Sequence, residues 1–236
     1  MVRTVFPGFP AEGLAFFSSL QRNNRREWFQ PRKAIFEETL KQPMRDLVAA
    51  VNSAMRSFAP DYVTDPDKAI YRIYRDTRFS KDKTPYKDHI AAYFVRRGDK
   101  SGAGYYFAVS HKEVAIGGGL YMPEPEALMA IRQYLAERHE EFRKIAAGRT
   151  IRRLFTAVQG EQLTRIPKGY PSDHPAADLL RMKQYFLYVV LAPDLATTPA
   201  VYTEVVKHFR AMTAFVEFLN APLRGKAKSG LLIELQ

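Results

Sequence analysis

The sequence predicts an α+β protein with a mostly antiparallel central sheet and helices at both ends of the chain packed on it. Apolar residues recur at helical spacing towards both ends, whereas the middle of the chain holds short runs of β-forming residues. Two of these runs flank the turn Ser110–Glu113, which favours antiparallel pairing. Because the strands are grouped, alternating strand–helix units with a parallel sheet are not expected.

The N-terminal part is predicted to form two helices. Pro10 precedes apolar residues at three-residue spacing, which predicts a helix over 11–22. A second helix is predicted from Pro31 to Met55. Pro43 is expected to kink or split it, because proline lacks the amide hydrogen that a helical hydrogen bond needs.

Strands and further helices follow in order along the chain. Strands are predicted over Ala69–Arg75, His89–Val95, Gly104–Ser110, Val114–Leu120 and Tyr185–Leu191, with extended residues at 163–166. Helices are predicted from Pro125 to about Gly148 and over 151–158, 175–182 and 199–219.

Composition indicates one folded domain over 1–236 that carries a net positive charge. The chain has 236 residues, 46% of them apolar, and a formal charge of +11. The absence of cysteine excludes disulfides, thiolate nucleophiles and cysteine-bound zinc. No apolar stretch approaches the roughly 20 residues of a membrane span and no secretory signal is visible, so we expect a cytoplasmic protein without membrane contact. Residues 224–236 are expected to form a basic, solvated tail.

Common catalytic signatures are absent from the sequence. There is no phosphate-binding loop, no dinucleotide fingerprint that opens a helix, no His-Glu-x-x-His helix and no Gly-x-Ser-x-Gly elbow. The five histidines are scattered without metal-ligand spacing. We therefore expect neither a metal nor a cofactor, and no reaction can be named.

Residues 71–87, with the sequence YRIYRDTRFSKDKTPYK, hold the densest group of cations. Arginine offers forked donors for phosphate or carboxylate, and lysine offers a mobile point charge. A loop with several such groups beside a rigid strand is a plausible anion site. The anion-binding candidates are Arg75, Arg78, Ser80, Lys81, Lys83 and Lys87.

The same residues also fit a purely structural interpretation. Asp76 and Asp82 can pair with the arginines and lysines, which would make the segment an ion-pair web. If chemistry occurs, Asp76 and Tyr86 are the candidate proton-transfer groups, and nearby cations would have to lower the pKa of Tyr86. Asn24, Trp28 and Gly118 are candidate pocket-lining residues, although Trp28 also fits core burial and Gly118 close packing.

Several motifs occur together in a fixed order. They are Asn23–Phe29, Arg75–Lys87, Gly117–Pro123, Pro167–Tyr170 and Asp173–Pro175. In these motifs the chain resembles the family named domain of unknown function 2461, over about residues 9–223. The resemblance implies a single-domain protein with a signature centred on the basic residues 75–87, and it implies no particular activity.

Three functions are compatible with these features. The first is binding of a small anionic ligand, including a phosphorylated one, by an enzyme or a binding protein. The second is non-specific nucleic-acid binding, for which charge and aromatic residues are suitable although no known motif is present. The third is an interaction or scaffold protein without catalysis. The sequence predicts no oligomeric state.

Overall fold

One antiparallel sheet of four strands organises the chain. The structure is a computed structural model that describes residues 6–98 and 102–224. Each strand pairs with the next along the chain, in the order β1-β2-β3-β4. The strands are β1 (His89–Phe94), β2 (Gly104–Ser110), β3 (Val114–Leu120) and β4 (Tyr185–Leu191). Helices precede and follow the strands, which confirms the predicted α+β class.

Ten α-helices lie in the part of the chain that the structure describes. Those before the sheet are α1 (Ala11–Arg22), α2 (Arg26–Phe29), α3 (Lys33–Phe36), α4 (Gln42–Met55) and α5 (Pro66–Ala69). Those after β3 are α6 (Pro125–Ala146), α7 (Arg149–Leu154), α8 (Ala177–Leu180), α9 (Ala200–Ala211) and α10 (Thr213–Asn220). Turns of 3-10 helix occupy Gln30–Arg32, Pro60–Tyr62, Pro193–Thr197 and Ala221–Leu223.

The chain divides into two compact units, and the first contains the N-terminal helices. It comprises Met1–Phe94, Tyr106–Ile116 and Val190–His208. Within it, a Cβ atom on Gly13 of α1 would lie 2.7 Å from the carbonyl oxygen of Thr39. Glycine therefore lets two helical segments approach backbone to backbone.

The interruption predicted at Pro43 is a wider helical turn. Residues Glu37–Lys41 form a π-helical turn between α3 and α4, and Pro43 is the second residue of α4. Proline offers no amide hydrogen to the carbonyl of Thr39, four residues earlier. The helix therefore widens here rather than ending, and helical structure continues from residue 26 to residue 55.

The strand predicted over Ala69–Arg75 does not form. Ala69 is the last residue of α5, and residues 70–75 make only two isolated β-bridges, at Ile70 and at Tyr74. The chain bends at buried Ile73. Pro85, on the opposite side, has no amide hydrogen to donate. These two features interrupt the ladder, although the residues have the composition of a strand.

The second unit is built around aromatic side chains. It comprises Val95–Tyr105, Gly117–Val189 and Phe209–Gln236. The ring of Phe142 on α6 lies 6.2 Å from that of Tyr185, 5.6 Å from Phe215 and 5.4 Å from Phe218. Such contacts add specific ring geometry to the burial of large apolar surfaces.

The helix predicted over 199–219 is divided into α9 and α10. The backbone leaves regular helical geometry at Met212, where φ is −91° and ψ is 3°. The hydroxyl of Thr213 donates to the carbonyl oxygen of Phe209 at 3.2 Å. A threonine hydroxyl that bonds a carbonyl in the preceding turn is known to bend helices, and it accounts for the division.

Two further predictions have shorter or different counterparts. The helix predicted over 175–182 is reduced to α8, because the amide of Ala176 donates to Nδ1 of His174 at 3.0 Å in a preceding turn. The helix predicted over 151–158 is α7, which ends where buried Phe155 becomes extended. Residues 163–166 lie outside any strand of the sheet.

Some sequence predictions fall partly or wholly outside this description. The basic tail predicted over 224–236 lies outside the described residues apart from Arg224. Both units are discontinuous in sequence, and the single domain expected for the whole chain stays a prediction. None of the described helices combines the length and apolar character that a membrane crossing requires.

Candidate anion-binding site

The basic loop, residues 75–87, is fixed at both of its ends by backbone hydrogen bonds in the first unit. The amide of Arg75 donates to the carbonyl oxygen of Pro85 at 2.9 Å. The amide of Lys87 donates to the carbonyl oxygen of Ile73 at 2.8 Å. The loop therefore begins and ends within the same short stretch of extended pairing.

Arg75 is directed at acceptors within the loop itself. Its Nη1 donates to the carboxylate of Asp82 and to the hydroxyl of Thr84. The amide of Thr84 also donates to Oδ1 of Asp82 at 2.9 Å. This amide first, and Arg75 second, lower the pKa of Asp82 to about 2. The charge of Arg75 is thus neutralised inside the loop.

Arg78 is paired in the same way, with Asp76. Its Nε donates to Oδ1 at 3.0 Å and its Nη2 donates to Oδ2 at 2.7 Å, the forked geometry typical of arginine and carboxylate. The pair lowers the pKa of Asp76. Lys83 donates to the carbonyl oxygen of Thr77 at 2.9 Å. For Arg75 and Arg78 the geometry matches the ion-pair interpretation that the sequence left open.

Lys87 and Arg72 are neighbouring cations that lack a carboxylate at ion-pair distance in the described chain. The ammonium nitrogen of Lys87 lies 5.0 Å from the ring centroid of Tyr71. Burial first, and the nearby charge of Arg72 second, lower the pKa of Lys87. Among residues 6–98 and 102–224, no carboxylate lies within ion-pair distance of either cation. We call these two side chains the Arg72–Lys87 pair.

The carboxylate that follows Lys87 in the sequence belongs to a different group of charges. Asp88 accepts the ammonium of Lys112 at 2.9 Å and lies 3.5 Å from Nδ1 of His89. Lys112 comes from the turn between β2 and β3. Asp88 is therefore neutralised by that turn rather than by the Arg72–Lys87 pair.

Lys81 and Ser80 complete the predicted anion-binding set. Lys81 is exposed, and its ammonium has no ion-pair partner in the described chain. Ser80 is half-buried, and its amide donates to the carbonyl oxygen of Thr77 at 3.3 Å. Of the predicted cations, Lys81 and Lys87 are thus those without an internal acceptor.

Asn24 anchors the end of the basic loop to the connection between α1 and α2. Its Nδ2 donates to the carbonyl oxygen of Tyr86 at 2.8 Å, and its Oδ1 accepts the amide of Tyr86 at 3.0 Å. The ring of Tyr86 stacks on Phe29 with centroids 4.2 Å apart. Asn24 thus acts on the loop through the backbone.

Trp28 lies on α2, in the helical part of the same unit. Its half-buried ring is 5.5 Å from the ring of Phe16, and the guanidinium of Arg32 lies 4.7 Å from the ring centroid. These contacts agree with the packing interpretation that the sequence allowed. Among the described contacts, none joins Trp28 to a cation of the basic loop.

Gly118 lies in β3 and belongs to the second unit. A Cβ atom there would lie 2.1 Å from the sulfur of Met212. At Gly119, φ is +127° and a Cβ atom would lie 2.3 Å from the carbonyl oxygen of Tyr185. Close packing therefore accounts for these glycines, and a pocket-lining role for Gly118 stays a prediction.

The motif Asp173–Pro175 forms a turn in the second unit. Nδ1 of His174 accepts an amide hydrogen from this turn, which is the turn role that the sequence favours over catalysis. The ring of His174 lies 6.3 Å from Tyr170 and 6.1 Å from His139. Arg143 on α6 donates to the carbonyl oxygen of Pro175 at 3.1 Å and holds the turn in place.

The two candidate proton-transfer groups have pKa shifts in opposite directions. Burial raises the pKa of Tyr86, although the sequence argument required nearby cations to lower it. Asp76 stays a carboxylate because Arg78 binds it. Over the described residues, no three His, Asp or Glu side chains are grouped so that they could hold a metal ion.

Sequence reasoning did not place Arg72, Tyr71 or Phe79 in the candidate site. Arg72 is one of the cations of 71–87, but the sequence pattern places it in the predicted strand 69–75. The signal that could have identified these residues is the alternation of aromatic and basic residues in YRIYRDTRF. In the structure this alternation lies on the surface instead of in the sheet.

These features define a basic α+β protein. Its cationic loop pairs two arginines with its own carboxylates, and the Arg72–Lys87 pair has no carboxylate at ion-pair distance in the described chain. A family model described as "Conserved hypothetical protein (DUF2461)" matches residues 12–218. Because this match covers most of the chain, the protein belongs to that family, as the resemblance indicated. Comparisons with curated proteins and with solved structures gave no match.

Proposed function

We propose that the protein binds a phosphate-bearing anion at the Arg72–Lys87 pair, with Lys81 as an additional cation. One observation supports this proposal above the others. Two neighbouring cations lie without a carboxylate in the described chain, and the charge of one lowers the pKa of the other. An anion that bridges them would remove this repulsion and add charge-assisted hydrogen bonds.

The self-paired arginines would have a different role in this proposal. Arg75 and Arg78 are held by Asp82 and Asp76, so they keep the shape of the loop and contribute little charge to a ligand. Arg72 would supply forked hydrogen-bond donors. Lys87 would supply a point charge, and the contact of its ammonium with the ring of Tyr71 would limit the motion of the side chain. The proposal contains no catalytic step, and it keeps the cytoplasmic location expected from the sequence.

Calorimetric titration with inorganic pyrophosphate tests the proposal. The wild-type protein is expected to bind saturably. Arg72→Gln and Lys87→Gln should each weaken binding about tenfold or more, because each removes a charge-assisted contact. Neither substitution breaks an internal ion pair, and Lys87→Gln loses one cation–π contact, so the free energy of unfolding should change by no more than about 1 kcal/mol.

The matched control is Lys207→Gln in the same unit. Lys207 is an exposed lysine on α9 that pairs with Glu204 at 2.9 Å, and its removal should leave pyrophosphate affinity unchanged. Arg75→Gln should weaken binding less than Arg72→Gln. The proposal fails if the wild-type protein does not bind pyrophosphate, or if all four variants bind alike.

A further inference from the structure

Exposed aromatic side chains are concentrated in the chain segment that contains Arg72. Seven large apolar side chains are exposed in the described chain: Tyr71, Tyr74, Phe79, Tyr121, Met122, Met129 and Val190. The first three fall within the nine residues 71–79. Scattered single apolar residues on a surface are ordinary, but three exposed rings within nine residues favour a partner with apolar or π-faces.

Two of these rings each pack against a second tyrosine ring. Tyr71 is 45% exposed, and its ring lies nearly parallel to that of Tyr93 at 6.4 Å with 21° between the planes. Tyr74 is 44% exposed, and its ring lies 5.4 Å from that of Tyr86. The amide of Tyr71 also donates to the carbonyl oxygen of Ala91 at 2.9 Å. The rings are thus fixed by packing and backbone pairing, which limits the entropy lost on binding.

Phe79 is the most exposed aromatic residue of the described chain, at 95%. The guanidinium of Arg78 lies 5.8 Å from its ring centroid, and Asp76 holds that guanidinium. An almost fully exposed phenylalanine gains nothing from folding through burial. Its ring is therefore free to stack on a partner.

Cations without a carboxylate at ion-pair distance in the described chain lie between and after these rings in the sequence. Arg72 lies between Tyr71 and Tyr74, Lys81 follows Phe79, and the ammonium of Lys87 lies over the ring of Tyr71. A partner that fits this order carries negative charges and flat faces at alternating positions. Phosphates and unpaired bases have this arrangement in a single strand, whereas a duplex hides its base faces.

We propose that the aromatic surface, Tyr71, Tyr74 and Phe79, binds a single-stranded nucleic acid whose phosphates contact Arg72, Lys81 and Lys87. This inference rests on the proposed function, because the phosphates would occupy the Arg72–Lys87 pair. A lipid surface fits less well. Two of the three rings carry hydroxyl groups, and membrane association grows with the apolar area that is buried.

Fluorescence anisotropy with a labelled twelve-residue oligothymidylate tests the inference, and oligouridylate distinguishes RNA from DNA. The Phe79→Leu and Tyr71→Leu variants should each weaken binding about tenfold, because they remove a stacking face. Phe79→Leu should not alter binding of inorganic polyphosphate, which has charge but no bases. Tyr71→Leu should weaken polyphosphate binding less than oligothymidylate binding, because the ring of Tyr71 also contacts Lys87. With three phosphate contacts, the logarithm of affinity should fall against the logarithm of salt with a slope of about −2.

Tyr121→Leu is the matched control, since Tyr121 is a 66% exposed tyrosine of the second unit. The inference is overturned if oligothymidylate binding is unaffected by the aromatic substitutions, or if duplex DNA binds as tightly as the single strand. It is also overturned if the protein binds vesicles of anionic phospholipid through Phe79 and no oligonucleotide. Loss of polyphosphate binding in Lys87→Gln, together with any of these results, would leave the proposed function standing.

Discussion

Two carboxylates decide which cations of the basic loop stay available for a ligand. Asp82 takes Arg75, and Asp76 takes Arg78. Both carboxylates are exposed to solvent, so these ion pairs shape the loop more than they stabilise the protein. Their effect is selective, because in the described chain neither carboxylate lies within ion-pair distance of Arg72 or Lys87, although the charge of Arg72 also contributes to the lowered pKa of Asp76.

The acid titration of Asp82 tests this arrangement. Its pKa is lowered from 3.8 to about 2, so the contribution of this carboxylate to stability is complete above about pH 3.8 and is lost as the pH falls through about 2. Carboxyl NMR shifts should show that low midpoint. In Arg75→Gln the midpoint should rise only in part, because the amide of Thr84 has the larger effect. A midpoint of 3.8 in the wild-type protein would contradict the pairing.

Sequence alone could not distinguish these partners. Asp76 is two residues from Arg78, but it is also next to Arg75, and Asp82 lies between two lysines. Which pairs form depends on the turn within the loop and on the amide of Thr84, which fixes the orientation of Asp82. Residue types therefore predicted a cationic loop correctly without predicting which of its charges are free.

At the scale of elements, the basic loop depends on a helix connection distant in sequence. Asn24 lies between α1 and α2 and satisfies both backbone groups of Tyr86. This contact fixes the loop end next to Lys87. Since a backbone amide and a carbonyl are both involved, the loss of the side chain leaves two partly buried polar groups without this partner.

The variant Asn24→Ala is expected to lower the free energy of unfolding by about 1–3 kcal/mol, measured by urea denaturation. Asn23→Ala is the matched control, because the side chain of Asn23 donates one described hydrogen bond, to the carbonyl oxygen of Ser19 at 3.0 Å. That variant should cost about 1 kcal/mol or less. Equal costs for the two variants would show that Asn24 does not anchor the loop.

Elements with a strong local pattern were predicted with their bounds. α1, β2, β3 and β4 begin and end where the sequence placed them. The strand predicted over residues 69–75 fails for a non-local reason. The bend at Ile73 and the missing amide hydrogen of Pro85 prevent continuous strand pairing, although the residue types favour a strand. Because the predicted strand includes Tyr71 and Arg72, the sequence does not assign these two residues to the candidate site.

For the whole molecule, a formal charge of +11 attracts anions to many parts of the surface. Attraction of that kind weakens steeply with salt and depends little on any single residue. Binding at a specific site requires more than this general attraction. It requires that the Arg72–Lys87 pair binds the anion and that cations outside the basic loop, such as Lys207, do not.

The titration of Lys87, followed by NMR of its side chain with and without inorganic pyrophosphate, tests this claim most directly. In the free protein the pKa should lie below 10.5, because burial and Arg72 disfavour the charged form. A bound anion should raise that pKa and leave the Lys207 signal unchanged. A Lys87 pKa of 10.5 that pyrophosphate does not alter would contradict the account.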